Sequence, residues 1–316
     1  MKKSIRKFIG TLTWITAFAL ILGACQNDDV NPLTSKENAS LSARDNSEIV
    51  AVTEEVMDIT DGIFASRGFS GGRTAGGGPG HDGHDDEDDD NNDHSDKHHD
   101  SRGCEPFISG SFNLDRSHQD SLIYTGTFVV DYGDGSTCPD SAHIRKGIVR
   151  DSITVIISFK DSISFTSTET ITFLGFTKDS TAIDGNFVIK SSTGHPTTVE
   201  AQDAMITYAD STSFSWNGIL TFEYEKKGSR HCKGNVKKIT DGSIEGTTRS
   251  GAEFTATVVK EIILKRCNGK RSFVPVSGTV DITTGGVTST LDYGDGSCDK
   301  DFTISAAGET TEHSFS

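Results

Sequence analysis

Alternation of apolar and polar residues dominates the chain from Cys104 onward. Leu122, Tyr124, Phe128, Val130 and Tyr132 fall on one face, as do Ile153, Val155, Ile157 and Phe159. Between 163 and 173, Ile163, Phe165, Ile171 and Phe173 oppose Ser164, Thr166, Thr168, Thr170 and Thr172. Phe214, Trp216, Leu220, Phe222 and Tyr224 oppose Ser215, Asn217, Thr221 and Glu223. A period of two puts successive side chains on opposite sheet faces, so these are strands with one buried and one wet face. Further strands are expected near 183–190, 199–208, 236–248, 253–266, 273–283, 286–293 and 301–306. Short polar turns join them, which predicts antiparallel neighbours. The fold class is therefore mainly β, an antiparallel meander that must bury its apolar side. It can do so as a half-barrel, a closed barrel or a two-sheet sandwich.

One earlier stretch has a different period. Ile49, Val52, Val56, Ile59 and Ile63 recur at steps of three and four, and Met57 and Phe64 widen the stripe. This predicts one amphipathic helix over 46–65, capped by Asn46 or Ser47 and packed on the β domain. Residues 25–45 are polar and aperiodic and are assigned as tether.

Two strings repeat. Asp131-Tyr132-Gly133-Asp134-Gly135-Ser136-Thr137-Cys138 recurs as Asp292-Tyr293-Gly294-Asp295-Gly296-Ser297-Cys298. Glycine supplies the positive φ that tight turns need and Asp tolerates it, so both copies read as turns. Calcium binding by Asp131, Asp134 and Ser136 is the alternative, but an EF-hand type loop needs more acids and a distal Glu. Each copy has an upstream cysteine at a similar distance, which suggests disulfides Cys104–Cys138 and Cys267–Cys298. Cys232 is then left over, or replaces one of these partners.

The first 24 residues are a processing signal. Lys2, Lys3, Arg6 and Lys7 precede an apolar run, Phe8 to Leu22, that is short for a membrane span. Losing those four basic residues takes the formal charge from −16 to −20, which argues against nucleic-acid binding. The run ends in Leu22-Gly23-Ala24-Cys25, which resembles a bacterial lipobox; the resemblance implies cleavage before Cys25 and lipidation of that residue. Gln26-Asn27-Asp28-Asp29 resembles the surface-export signal of Bacteroidota lipoproteins. The partner so implied is the outer membrane, reached through a lipid anchor, with the protein facing outward.

Residues 66–103 cannot build a core. Gly68 to Gly80 is glycine-rich, and His81 to Asp100 holds ten acids, five histidines and one lysine. Such charge density predicts a disordered linker. Its His81, His84, His94, His98 and His99 are candidate ligands for zinc, nickel or copper, although their spacing fits no closed site.

The domain from 104 to 316 resembles a family of uncharacterised Bacteroidota outer-membrane lipoproteins. The shared features are the early Tyr-Gly-Asp-Gly turn with a cysteine, central strands with the Asn217-Gly218 turn, and Val276-Ser277-Gly278 followed by Asp292 to Asp299. The resemblance implies a β fold and an envelope location and attaches no activity. Asp-Ser pairs at Ser121, Ser141, Ser152, Ser162, Ser180 and Ser211 match the O-glycosylation sequence of exported Bacteroidota proteins. The same pairs are also good turn chemistry ahead of a strand.

The sequence holds no nucleophile elbow, phosphate-binding glycine loop, zinc-finger spacing or cofactor motif. The expected function is therefore non-catalytic: a surface lipoprotein with a binding or adhesion role toward an extracellular or envelope ligand. A carrier of an apolar ligand inside a half-barrel is the alternative, and an envelope hydrolase the second.

Overall fold

The computed structural model describes residues 32–66, 106–135, 144–224, 236–267, 273–299 and 301–314. The chain divides into two compact units, Met1–Ser35 and Lys36–Ser316. The second holds the whole sheet and the helix from Lys36 onward.

The β domain is a single antiparallel sheet of thirteen strands whose spatial order is their sequence order. They are β1 (Phe107–Asp115), β2 (Ser121–Asp131), β3 (Arg145–Ser158), β4 (Ser164–Lys178), β5 (Thr181–Ser192), β6 (Thr197–Thr207) and β7 (Ser213–Tyr224). There follow β8 (Val236–Thr247), β9 (Glu253–Arg266), β10 (Phe273–Thr284), β11 (Val287–Asp295), β12 (Asp301–Ala306) and β13 (Glu309–Ser314). One continuous sheet excludes the two-sheet sandwich. β1 and β13 stand at opposite ends of the strand order, so the sheet is not closed into a barrel.

The alternation sets the faces. Phe128, Val130, Val149, Ile171, Phe173, Phe187, Ile189, Phe214, Trp216, Phe222 and Ile239 are buried on one side. The threonine rows of β4 face the other way. Strict alternation breaks where a bulge is inserted. In β4 the buried set passes from Ile171 and Phe173 to Phe176, and Leu174 is exposed. In β6 it passes from Val199 and Ala201 to Ala204 and Ile206, with Asp203 at φ 50 and its amide held by Asn217 Oδ1 at 2.7 Å. Each bulge bends its strand and lets the sheet curl. Gly147 shows why glycine is needed there: its φ is 88°, and a Cβ would lie 2.2 Å from the Gly175 carbonyl oxygen.

The helix α1 runs from Pro32 to Ser66. It thus begins well before the expected 46–65 and takes in residues assigned to the tether. Asn46 and Ser47 are not caps but buried mid-helix residues. The polar residues before 46 hid the helix, because their partners lie elsewhere in the sequence or within the helix. Ser42 Oγ donates to the Asn38 carbonyl and Ser47 Oγ to the Arg44 carbonyl, both at 2.7 Å. Thr53 and Thr60 do the same toward Ile49 and Met57. A hydroxyl satisfied by its own helix can enter a dry interior.

The apolar stripe lies where its period placed it. Ile49, Val52, Val56, Met57, Ile59 and Ile63 join one core with residues of β2 to β12. Burying each is worth roughly 1.5–3 kcal/mol. Val52 to Met57 are six consecutive buried residues, a run that passes all round a helix with 3.6 residues per turn. Adjacent residues Glu54 and Glu55 meet β8 and β3, five strands apart. A flat sheet covers one side of a helix, so this sheet is a trough curled around α1. Of the three architectures expected, the half-barrel is the one formed. β13 was not expected; Glu309–Ser314 is polar and exposed and so carries no apolar face to read.

Candidate functional site

The unusual chemistry of the fold lies in the seam between α1 and the trough. Acids come from the helix and bases from the sheet. Arg145 at the start of β3 grips Glu55 with two nitrogens, Nε to Oε1 at 2.6 Å and Nη2 to Oε2 at 3.1 Å. Lys178, at the end of β4, donates to Oε2 at 2.7 Å. Burial pushes the Glu55 carboxyl up, but the Arg145 hydrogen bond and the charges of Lys178 and Arg145 outweigh it. Its pKa falls below the ordinary carboxylate value.

Two further pairs follow along the helix. Asp45, on the N-terminal side, accepts Arg249 Nε at 2.7 Å, and the guanidinium lies 4.6 Å over the Tyr208 ring. Burial dominates over Arg249, so the Asp45 carboxyl sits above its usual value. Glu54 meets Lys237 of β8, itself 4.1 Å over the Phe273 ring. Burial raises Glu54 to about 7 in spite of that lysine. Burial likewise raises Glu48 and Asp58, which feel Arg249 and Lys178, and Lys237 and Arg266, respectively. Thr284 Oγ1 donates to Ser42 Oγ at 2.8 Å and ties the helix to the end of β10.

A second buried feature was missed in the sequence. Asp151 on β3 and Glu169 on β4 both face the core, at 2% and 0% exposure. Ile153 pairs with Glu169 and Asp151 with Ile171, so the two acids are diagonal neighbours on one face. Burial raises Asp151 to about 7. Asp151-Ser152, whose sequence suits a turn ahead of a strand, lies inside β3. The signal was parity, because Asp151 is in phase with Ile153, and Glu169 with Phe165 and Ile171.

The repeated strings share a local bond but not a structure: the first leaves β2 as a turn after Asp131, whereas Asp292–Asp295 lie inside β11 at a register shift against β10, and the chain bends from Gly296. Asp131 Oδ1 accepts the Gly133 amide at 2.8 Å, and Asp292 Oδ1 accepts the Gly294 amide at 2.9 Å. Gly133, Gly135, Gly294 and Gly296 all have positive φ. The copies nevertheless lie at opposite ends of the sheet, since one sits at the end of β2 and the other at the end of β11. They form no shared surface. Cys267 and Cys298 are bonded, and Lys265 Nζ donates to the Gly296 carbonyl at 2.9 Å, locking the second copy onto β9.

Ser162, Ser180 and Ser211 sit in exposed turns, Ser121 opens β2, and Ser152 is exposed in mid-strand. Cys25, Cys104, Cys138, Ser141, Cys232, His81, His84, His94, His98 and His99 lie outside the described residues, as does Ser136 of the calcium alternative. Among the described residues, no group of three or more His, Cys, Asp or Glu could hold a metal ion. No helix among them is long and apolar enough to cross a membrane. A shallow depression of about 260 Å³ opens beside Thr166, Thr168, Lys190, Ser192, Pro196 and Thr198. It offers hydroxyls and one ammonium, and none of the buried acids reaches it.

Comparison with protein-family models, with curated proteins and with solved structures finds no match for this chain.

Proposed function

We propose that this protein is a non-catalytic lipoprotein of the outer membrane, anchored at Cys25, whose half-barrel is an outward-facing binding module for an extracellular or envelope ligand. The resemblance to Bacteroidota lipoproteins supplies the address. The observation that carries the orientation is where α1 docks. Its N-terminal half meets Thr284 and Arg249, at the end of the sheet that carries the 248–252 and 285–286 turns. Pro32 follows Cys25 by only seven residues, a reach of about 25 Å when fully extended. The body is therefore held close to the membrane by that end.

In this reading the linker is not the segment that joins the anchor to the folded body. It lies between α1 and β1, after the folded body has begun. The end turned outward carries the 116–120, 159–163, 193–196 and 296–299 turns. Ile163 is 77% exposed there and Phe159 is 46% exposed. Exposed apolar residues on turns held by a rigid scaffold suit ligand contact. In the carrier alternative, α1 occupies the place where an apolar ligand would lie, so loading would require the helix to leave.

Intact-cell protease digestion tests the address. Wild-type protein should be cut from outside. Cys25→Ala should lose its lipid, and Asp28→Ala with Asp29→Ala should keep the lipid but lose surface exposure. Full protection of the wild type would place the protein on the periplasmic side instead. Binding is tested with glycan and matrix-protein arrays. Ile163→Asp with Phe159→Ser should remove whatever signal the wild type gives, and retention of that signal would move the contact surface elsewhere.

A further inference from the structure

We infer that the sheet is held to its membrane anchor by the docked helix rather than by the chain that joins the two. This rests on the anchored reading above. In chain order the anchor comes first, then α1, then the connection 67–105, then the sheet. A pull from the membrane can reach the sheet by that connection or by the seam.

The seam is built as an attachment surface. Its apolar half runs from Ile49 to Ile63 and shares one core with strands from β2 to β12. Its polar half is complementary in sign: Asp45, Glu54 and Glu55 face Arg249, Lys237, and Arg145 with Lys178. These bases project inward in a chain of formal charge −16. The trough is thus a receptor for an acidic amphipathic helix, and its occupant is residues 36–63 of this chain. The contacts span β3, β4, β8, the β8–β9 turn and β10, so the helix cannot leave by breaking one edge. Up to residue 66 the chain holds one cysteine, Cys25. Once that thiol is lipidated, no disulfide can do the holding. A surface protease acting within 67–105 would then nick this protein without shedding it.

The experiment places one protease recognition site near Gly76, or one near Ser95, in the full chain. Membranes carrying either version are digested, and cutting is verified on a denaturing gel. The sheet fragment should stay with the membrane pellet. In mild detergent, the helix fragment and the sheet fragment should elute together. Separation of the two in detergent overturns the inference. Co-elution in detergent with release from membranes keeps the inference and removes the anchor. Resistance at both sites also overturns it, because the connection would then belong to the holding structure. Glu54→Lys with Glu55→Lys should raise the released fraction after cutting at least tenfold. Glu55→Gln, which keeps the side-chain volume, should raise it severalfold. No increase with either variant would show that the charged seam does not hold the helix.

Discussion

Replacing Glu55 with glutamine keeps the volume of the side chain and removes its charge. Arg145 and Lys178 then face each other across a neutral amide. Two effects oppose each other. Glutamine escapes the burial penalty of a carboxylate that is 4% exposed, which favours the variant. It also loses three charge-assisted hydrogen bonds, at 2.6, 3.1 and 2.7 Å. Bonds to charged groups contribute about 1.5–3 kcal/mol each, and stranding a buried partner costs about 3–5 kcal/mol. The cations are 30% and 27% exposed and regain some water, which lowers that cost. The lowered pKa of Glu55 says that attraction exceeds burial, so the variant is less stable, by about 1–3 kcal/mol at pH 7. The assay is urea unfolding followed by Trp216, the one tryptophan left after removal of residues 1–24. Because the folded pKa is depressed, this contribution is full above the ordinary carboxylate value of 4.5. It disappears as pH falls through the folded value. A variant within about 0.5 kcal/mol of wild type at pH 7 would refute the reasoning, since surface pairs of no consequence give such values. So would a difference that does not shrink in acid.

Glu54 and Asp151, both raised to about 7 by burial, act in the opposite sense. Their folded forms hold protons more tightly, so stability should rise as pH falls from 8 toward 5. Glu54→Gln with Asp151→Asn should flatten that rise in urea midpoints measured across the range. Gly147→Ala should cost about 2–4 kcal/mol, because its Cβ would strike the Gly175 carbonyl at positive φ, whereas Gly175→Ala, with open space around it, should cost about 1 kcal/mol; paired thermal melts compare them. Cys298→Ser opens a link of sequence separation 31 and should cost roughly 3–4 kcal/mol on the loop-entropy estimate, read by urea unfolding with and without reductant.

Much of the fold was legible because its causes are local. Period-two runs identified the strands, since one buried face imposes that period wherever a sheet has a wet side. Short turns made the neighbours antiparallel, and the first Gly-Asp-Gly string turns the chain as its φ requirements dictate, whereas the second begins inside β11. The pairing of Cys267 with Cys298 followed from the repeat. Even the inward direction of Asp151 and Glu169 was written in their parity, although a carboxylate on an apolar face invites the reader to pass over it.

What tertiary structure alone decided is how polar residues could be buried. Asp45 and Glu55 lie 204 and 90 residues from the cations that neutralise them. No window of sequence contains both partners, so the first half of α1 looked like tether. Half-barrel, closed barrel and sandwich share one alternation, and only long-range register with its bulges in β4 and β6 separates them. The two Asp-Tyr-Gly-Asp-Gly strings are alike in sequence and in the Asp-to-Gly amide bond, although only the first leaves its strand at once. They lie at opposite ends because strand direction reverses at every step of a meander. Apolar periodicity is a property of neighbouring residues and can be read along the chain. Charge neutralisation, curvature and the end of the sheet at which a turn emerges depend on residues brought together only when the whole sheet has curled around its helix.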